Sequence, residues 1–158
     1  MQPTVPAGRD KAVSDAEIWS RHCDELIRYA TVLVGPASAE DVVSTVVLRV
    51  LQRRTLSDLV DPRPYLFKGV LNEARSVARR NSHHMTAADD SVSPPDVDPE
   101  VLVAVRRLPP RQRAAVYLTY WRDLPMVETA QLMGCGVGTV KRYLHLARSH
   151  LREVLDER

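Results

Sequence analysis

Apolar residues recur at three- and four-residue steps along most of this chain, and polar, glycine and proline interruptions cut the pattern into helices. Ser14 with Glu17 forms a capping box, after which Trp19, Cys23, Leu26, Ala30 and Leu33 share one face until Gly35 and Pro36 stop the helix. Ser38 with Asp41 repeats the device and opens a second helix. Its Val43, Val46, Val47, Val50 and Leu51 make an apolar stripe despite the β-branching that also suits strands. Asp61 followed by Pro62 starts a third helix, with Leu66, Val70, Ala74 and Val77 inward and Lys68, Arg75, Arg79 and Arg80 outward.

From Asn81 to Pro99 the periodicity stops, and the stretch is polar, acidic and proline-bearing with almost nothing to bury. Asp98 then caps a short helix beginning at Pro99, Leu108-Pro109-Pro110 forces a break, and a further helix runs through Ala115, Leu118 and Trp121. The segment Pro125 to Arg152 reads as two helices joined by a tight turn. Ala130 is small enough for a close crossing, Gly134 supplies the positive φ of the turn, and Val140 fills the wedge. Beyond Val140 the ladder continues through Leu144, Ala147, Leu151 and Leu155, leaving Thr139, Lys141, Arg142, His145 and Arg148 on other faces. An ordinary helical hairpin with a solvated cationic face has the same pattern. The chain is thus expected to be all-α: a mobile tail over 1–13, a three-helix domain over 14–81, a flexible acidic linker over 82–98, and a helix-turn-helix domain over 99–156.

Composition narrows the function classes. A hydrophobic content of 44% in 158 residues supports folding, and no run of about 18 apolar residues exists for a membrane span. The N-terminus lacks the apolar core of a secretory signal, so a cytoplasmic protein without membrane insertion is expected. Cys23 and Cys135 lack the paired spacing of a zinc site, and no metal or cofactor is called for. The net charge of +2 conceals a division along the chain. Residues 62 to 80 hold five cations and one anion, residues 81 to 99 four anions and no cation, and residues 100 to 158 ten cations and six anions. Two basic blocks on separate helical units suit two contacts with a polyanion.

The order of these elements, with Ala39-Glu40-Asp41-Val42-Val43, Arg49, Pro64-Tyr65-Leu66-Phe67-Lys68 followed by Asn72, Leu108 to Arg113 (LPPRQR) and Gly138 to Lys141 (GTVK), resembles RNA polymerase sigma factors of the extracytoplasmic-function group. The resemblance covers about Ser14 to Leu155. It implies that the last helix enters the major groove of the minus-thirty-five element, with Lys141, Arg142 and His145 reading bases and Thr139, Arg148, Arg111 and Arg113 at phosphates. It also implies that the N-terminal domain captures the melted minus-ten strand, since no ATP-binding loop is present to drive opening. Asn72 would hold a flipped base, flanked by Tyr65, Phe67 and Lys68, while Arg75, Arg79 and Arg80 hold phosphates. The second helix would dock on core RNA polymerase through Asp41, Ser44, Thr45 and Arg49.

The chain departs from the family's usual residues at several points. Ser44 and Thr45 stand where an amide and an acid are usual. Gly136 replaces a capping serine, Val137 a polar residue, and Tyr143 and Leu146 frequent arginines, so base choice rests on Lys141, Arg142 and His145. Promoter DNA, core polymerase and an anti-sigma protein are the partners the resemblance implies. Asp89, Asp90, Asp96 and Asp98 suit either a polyanion mimic near the RNA exit path or a plain solvated tether. Ser44 and Thr45 also motivate an alternative, a sigma-like DNA-binding regulator that has lost productive polymerase binding. A metal-dependent nuclease built on the linker acids has no supporting ligands, and no enzyme is expected.

Overall fold

The computed structural model describes residues 13–81 and 98–157, so the expected tail and linker, apart from Val13 and Asp98, lie outside the described residues, as do Asp89, Asp90 and Asp96. Seven α-helices carry the described chain: α1 (Asp15–Val34), α2 (Pro36–Leu51), α3 (Pro62–Asn81), α4 (Pro99–Arg106), α5 (Pro110–Val116), α6 (Met126–Met133) and α7 (Val137–Asp156). No strand occurs among the described residues.

The capping box of α1 forms as its sequence predicts, with the Glu17 amide donating to Ser14 Oγ at 3.2 Å and the Ser14 amide to Glu17 Oε2 at 2.9 Å. Ile18, Leu26, Tyr29, Ala30 and Leu33 are buried, whereas Trp19 and Cys23 are only half-buried. The buried face is therefore rotated from the expected one, because α1 packs on α2, α3 and α5 at once.

One expected helix start is corrected. α2 begins at Pro36 rather than after Ser38, with Gly35 as its N-cap and no side-chain cap. Proline at the first position needs no N–H partner and arrives with helical φ, so it displaces the Ser38 cap by one turn. Gly35 is then the only residue between α1 and α2, and its φ of 85° and ψ of 164° lie where a side chain is not tolerated. Val42, Val43, Val46 and Val50 face the core of the α1–α3 unit, and Leu51, expected inward, is exposed. A 3-10 turn at Leu56–Asp58 buries Leu56 and donates the Ser57 amide to Asp15 Oδ1 at 2.9 Å, tying the α2–α3 connection to the start of α1.

In the C-terminal unit Asp98 Oδ1 accepts the Glu100 amide at 2.9 Å, and Pro109-Pro110 separates α4 from α5. α5 runs on into a π-helical turn at Tyr117–Trp121, which turns Tyr117 and Leu118 inward. Asp123, at φ 51°, reverses the chain into α6. Ala130 and Val140 are buried at the α6–α7 crossing, as expected of a helix-turn-helix, and Gly134 makes the turn at φ 67°. Leu144 and Ala147 continue the buried ladder, which fades through half-buried Leu151 to exposed Leu155.

The two helical units share one core. α3 packs on α5 and α6, and α1 on α5. Tyr29 of α1 lies between Phe67 of α3, at 4.8 Å between ring centroids, and Tyr117 of the π turn, at 6.0 Å.

Candidate nucleic-acid interface

Burial of Val140, Leu144 and Ala147 fixes the rotation of α7, and the opposite face follows from it. Thr139, Lys141, Arg142, His145 and Arg148 are all exposed. Arg148 Nη2 donates to the Tyr120 hydroxyl at 2.5 Å, which steadies one end of this face. Gly136 caps α7 without a side-chain hydrogen bond, Tyr143 packs partly against the core, and Leu146 is half-buried, so neither adds to the cationic surface. Arg111 is exposed at the start of α5.

Arg113 does not join the other cations. Its guanidinium donates to the carbonyls of Val32 (3.3 Å), Leu33 (2.7 Å), Leu108 (2.8 Å) and Arg106. These acceptors lie at the C-terminal ends of α1 and α4, where helices leave carbonyls without intrahelical partners. Burial, with a smaller contribution from Arg106, pushes the guanidinium pKa down to about 10. The expected phosphate contact is corrected: Arg113 is a clasp between the units.

On α3 the residues Tyr65, Lys68, Asn72, Arg75 and Arg79 follow one another at three- and four-residue steps and form a single stripe. Tyr65, Lys68, Asn72 and Arg79 are exposed and Arg75 is half-buried. Phe67 is core, stacked on Tyr29 with the Arg63 guanidinium 5.4 Å from its ring centroid. At the head of the stripe a groove of about 400 Å³ is lined by Arg54, Asp58, Val60, Tyr65 and Lys68, with Gln131 of α6 on its far wall. Gln131 and Arg54 escape a reading by periodicity, because the packing of α6 on α3 brings the first to the groove and the α2–α3 connection brings the second.

Arg80 and Arg49 meet at a residue that the helical pattern does not single out. Glu73 is buried and shares its two carboxylate oxygens between Arg49 Nη1 at 2.7 Å and Arg80 Nη2 at 3.2 Å, which joins α2 to α3. Each arginine is mostly exposed, so either alone can neutralise the acid. Replacing one with alanine is expected to cost under about 1 kcal/mol, whereas replacing both strands a buried carboxylate and is expected to cost about 3 kcal/mol. Urea midpoints of the two single variants and the double variant measure this, and additive losses would show that Glu73 does not join the pair.

On α2, Asp41 and Ser44 are exposed, while Thr45 Oγ1 donates back to the Asp41 carbonyl at 2.7 Å. Leu48 and Leu51 continue the outward line of Asp41 and Ser44, 58% and 46% exposed, and give this face an apolar end. A second cluster lies between the units. Arg63, at the head of α3, donates to both oxygens of Glu25 at 3.1 and 2.6 Å and to Glu128 of α6 at 2.7 Å, and Arg122 adds a bond to Glu25 at 3.1 Å. Burial alone would raise the Glu25 pKa, but Arg63 and then Arg122 outweigh it and hold the carboxyl below its usual range. Among the described residues no three His, Cys, Asp or Glu side chains group as metal ligands, and no helix is long and apolar enough to cross a membrane.

Residues 99–151, which hold α4 to most of α7, match the family described as Sigma-70, region 4. The chain is 32% identical over 148 residues to the RNA polymerase sigma-E factor of Streptomyces avermitilis, covering 85% of this chain and 81% of that one. It is 31% identical over 157 residues to the ECF RNA polymerase sigma factor SigL of Mycobacterium tuberculosis, with 89% and 88% covered. The chain belongs to the extracytoplasmic-function RNA polymerase sigma factors. The fold agrees. The sigma factor RpoE of Bartonella quintana, solved with the anti-sigma factor NepR, superposes with a TM-score of 0.65 at 21% identity, over 89% of this chain and 96% of that one. CnrH, solved with the cytosolic domain of CnrY, gives 0.59 at 21% identity, over 90% and 88%.

As a sigma factor the chain directs core RNA polymerase to promoters, and sigma factors are transcription regulators rather than catalysts. In this sigma factor the exposed cations of α7 fall inside the region 4 match, while the α3 stripe and the exposed face of α2 lie outside it. The alternative of a regulator without productive polymerase binding is not favoured, because relatives aligned over more than four fifths of both chains are named as polymerase sigma factors.

Proposed function

We propose that this sigma factor grips promoter DNA at two points and couples them to polymerase. In the C-terminal unit, Lys141, Arg142 and His145 read base edges of the minus-thirty-five element in the major groove, with Thr139, Arg148 and Arg111 at flanking phosphates. In the N-terminal unit the α3 stripe takes the melted minus-ten strand. Tyr65 offers a stacking face beside the Arg54–Lys68 groove, Asn72 an amide that both donates and accepts, and Lys68, Arg75, Arg79 and Arg80 positive charge along the backbone. Asp41, Ser44 and Thr45, with apolar Leu48 and Leu51 beside them, form the polymerase-docking face of α2, and Arg49 borders it. An anti-sigma partner and a cytoplasmic location belong to this reading, on the strength of family membership.

The observation that carries the reading is the two-sidedness of α7, whose apolar side is buried to Ala147 while its cationic side is exposed. Purified protein mixed with core polymerase and genomic fragments should give discrete run-off transcripts. Lys141→Ala or Arg142→Ala should weaken promoter binding by about 1–3 kcal/mol at a particular base pair and alter which promoters give transcripts. Specific DNA retention without any transcript, across a range of salt, would overturn the two-point grip.

A further inference from the structure

One cation of the α7 face is held by a residue from another element. In the π-helical turn at Tyr117–Trp121 the Arg122 amide donates to the Tyr117 carbonyl at 3.0 Å, so the turn is one residue wider than an α-helical one. Tyr117 and Leu118 are buried, and Thr119 and Trp121 are half-buried. Tyr120 is left 55% exposed, the outward residue of an otherwise inward turn. Its hydroxyl reaches across to α7 and accepts from Arg148 Nη2 at 2.5 Å. Turns of this kind are rare and collect at functional sites.

The chemistry of this partner matters more than the strength of the bond. Among the described residues Arg148 has no carboxylate within ion-pair distance. A carboxylate would orient the guanidinium and also cancel its charge, whereas a neutral phenol orients it and leaves the charge whole. A free surface arginine samples many rotamers and gives them up on contact with a ligand. Arg148 gives up part of that freedom beforehand, and the rest of its N–H fork stays open. The phenol oxygen acts as acceptor, so its own proton points elsewhere, and accepting from a cation makes that O–H a stronger donor. Arg148 and Tyr120 therefore offer an anion two kinds of donor side by side.

We propose that Tyr120 and Arg148 form a phosphate clamp at the edge of the recognition face. Tyr120 positions the guanidinium and donates its own hydroxyl proton to the same phosphate group of the duplex backbone. This rests on the reading of α7 as the duplex face. The clamp draws one of its two donors from outside the α6–α7 pair, and it fixes register on the duplex without reading sequence.

Tyr120→Phe removes the hydroxyl and keeps the ring. The probe is a fluorescein-labelled mixed-sequence duplex of about thirty base pairs, because a phosphate contact supports all sequences alike. Full-length Tyr120→Phe should bind it about three- to tenfold more weakly, the range set by a lost hydrogen bond, with its urea midpoint unchanged. Arg148→Ala should lower the salt slope of binding by about one, whereas Tyr120→Phe removes no charge and leaves the slope in place. In the Arg148→Ala background Tyr120→Phe should change affinity by less than about twofold, since the hydroxyl no longer has a side chain to hold. Unchanged affinity in Tyr120→Phe, an equal loss with and without Arg148, or a shifted urea midpoint overturns the clamp. Lys141→Ala separates the clamp from the reading beneath it. Weaker binding by Lys141→Ala beside a neutral Tyr120→Phe overturns the clamp alone, and full binding by both Lys141→Ala and Arg148→Ala overturns the duplex face of α7 as well.

Discussion

Arg113→Ala is expected to destabilise this sigma factor by about 3 kcal/mol, because hydrogen bonds from a charged donor contribute about 1.5–3 kcal/mol each and several buried carbonyls lose theirs together. For a chain of this size that lowers Tm by about 6–12 °C. The Val32 and Leu33 carbonyls end α1, and those of Arg106 and Leu108 end α4, so one planar guanidinium satisfies two helix termini from different units. Arg113→Lys should recover little of the loss, since a single ammonium cannot span both sets of acceptors. The same variant discriminates the clasp from a phosphate contact. A phosphate contact would leave the urea midpoint in place and reduce the salt slope of DNA binding by about one. A shift in midpoint under about 0.5 kcal/mol would refute the clasp.

Asn72→Ala is expected to leave upstream-element binding intact and reduce open-complex formation about ten- to a hundredfold, the equivalent of about 1–3 kcal/mol for a lost pair of base-edge hydrogen bonds. The side chain is exposed at the centre of the α3 stripe, three residues from Arg75 and four from Lys68, so its removal leaves no buried group unsatisfied. A stability loss therefore cannot account for the effect. Permanganate reactivity of thymines in the melted region reads opening directly, and unchanged reactivity beside normal upstream binding would show that Asn72 does not hold the strand.

Much of the fold was legible because helices announce themselves locally. The Ser14 capping box, the break at Pro109-Pro110, the Asp98 cap and the Gly134 turn each depend on residues within one or two turns of each other. The start of α2 was misplaced because two valid signals, Ser38 and Pro36, lie within a single turn, and one-turn accuracy needs the backbone itself. The candidate sites divide in the same way. The cationic face of α7 and the α3 stripe are periodic and could be assigned in advance, whereas Glu73 reads as one more charge on a helix until α2 brings Arg49 to it.

Arg113 shows why the rest was hidden. In the sequence it is one of four cations close together around two prolines, with Arg111 two residues before it. Whether such a cation meets solvent, a phosphate or a carbonyl is decided by what lies about 80 residues away. By itself the sequence determined the helices, the turn of the DNA reader and the family, because hydrophobic period, capping and motif spacing are short-range properties. Only the tertiary structure decided that the two units share a core, that Arg63 and Arg113 bind them together, and that the C-terminal unit rests along the α3 stripe. Those contacts join residues with no periodic relation, and only the packed chain selects among many equally charged partners.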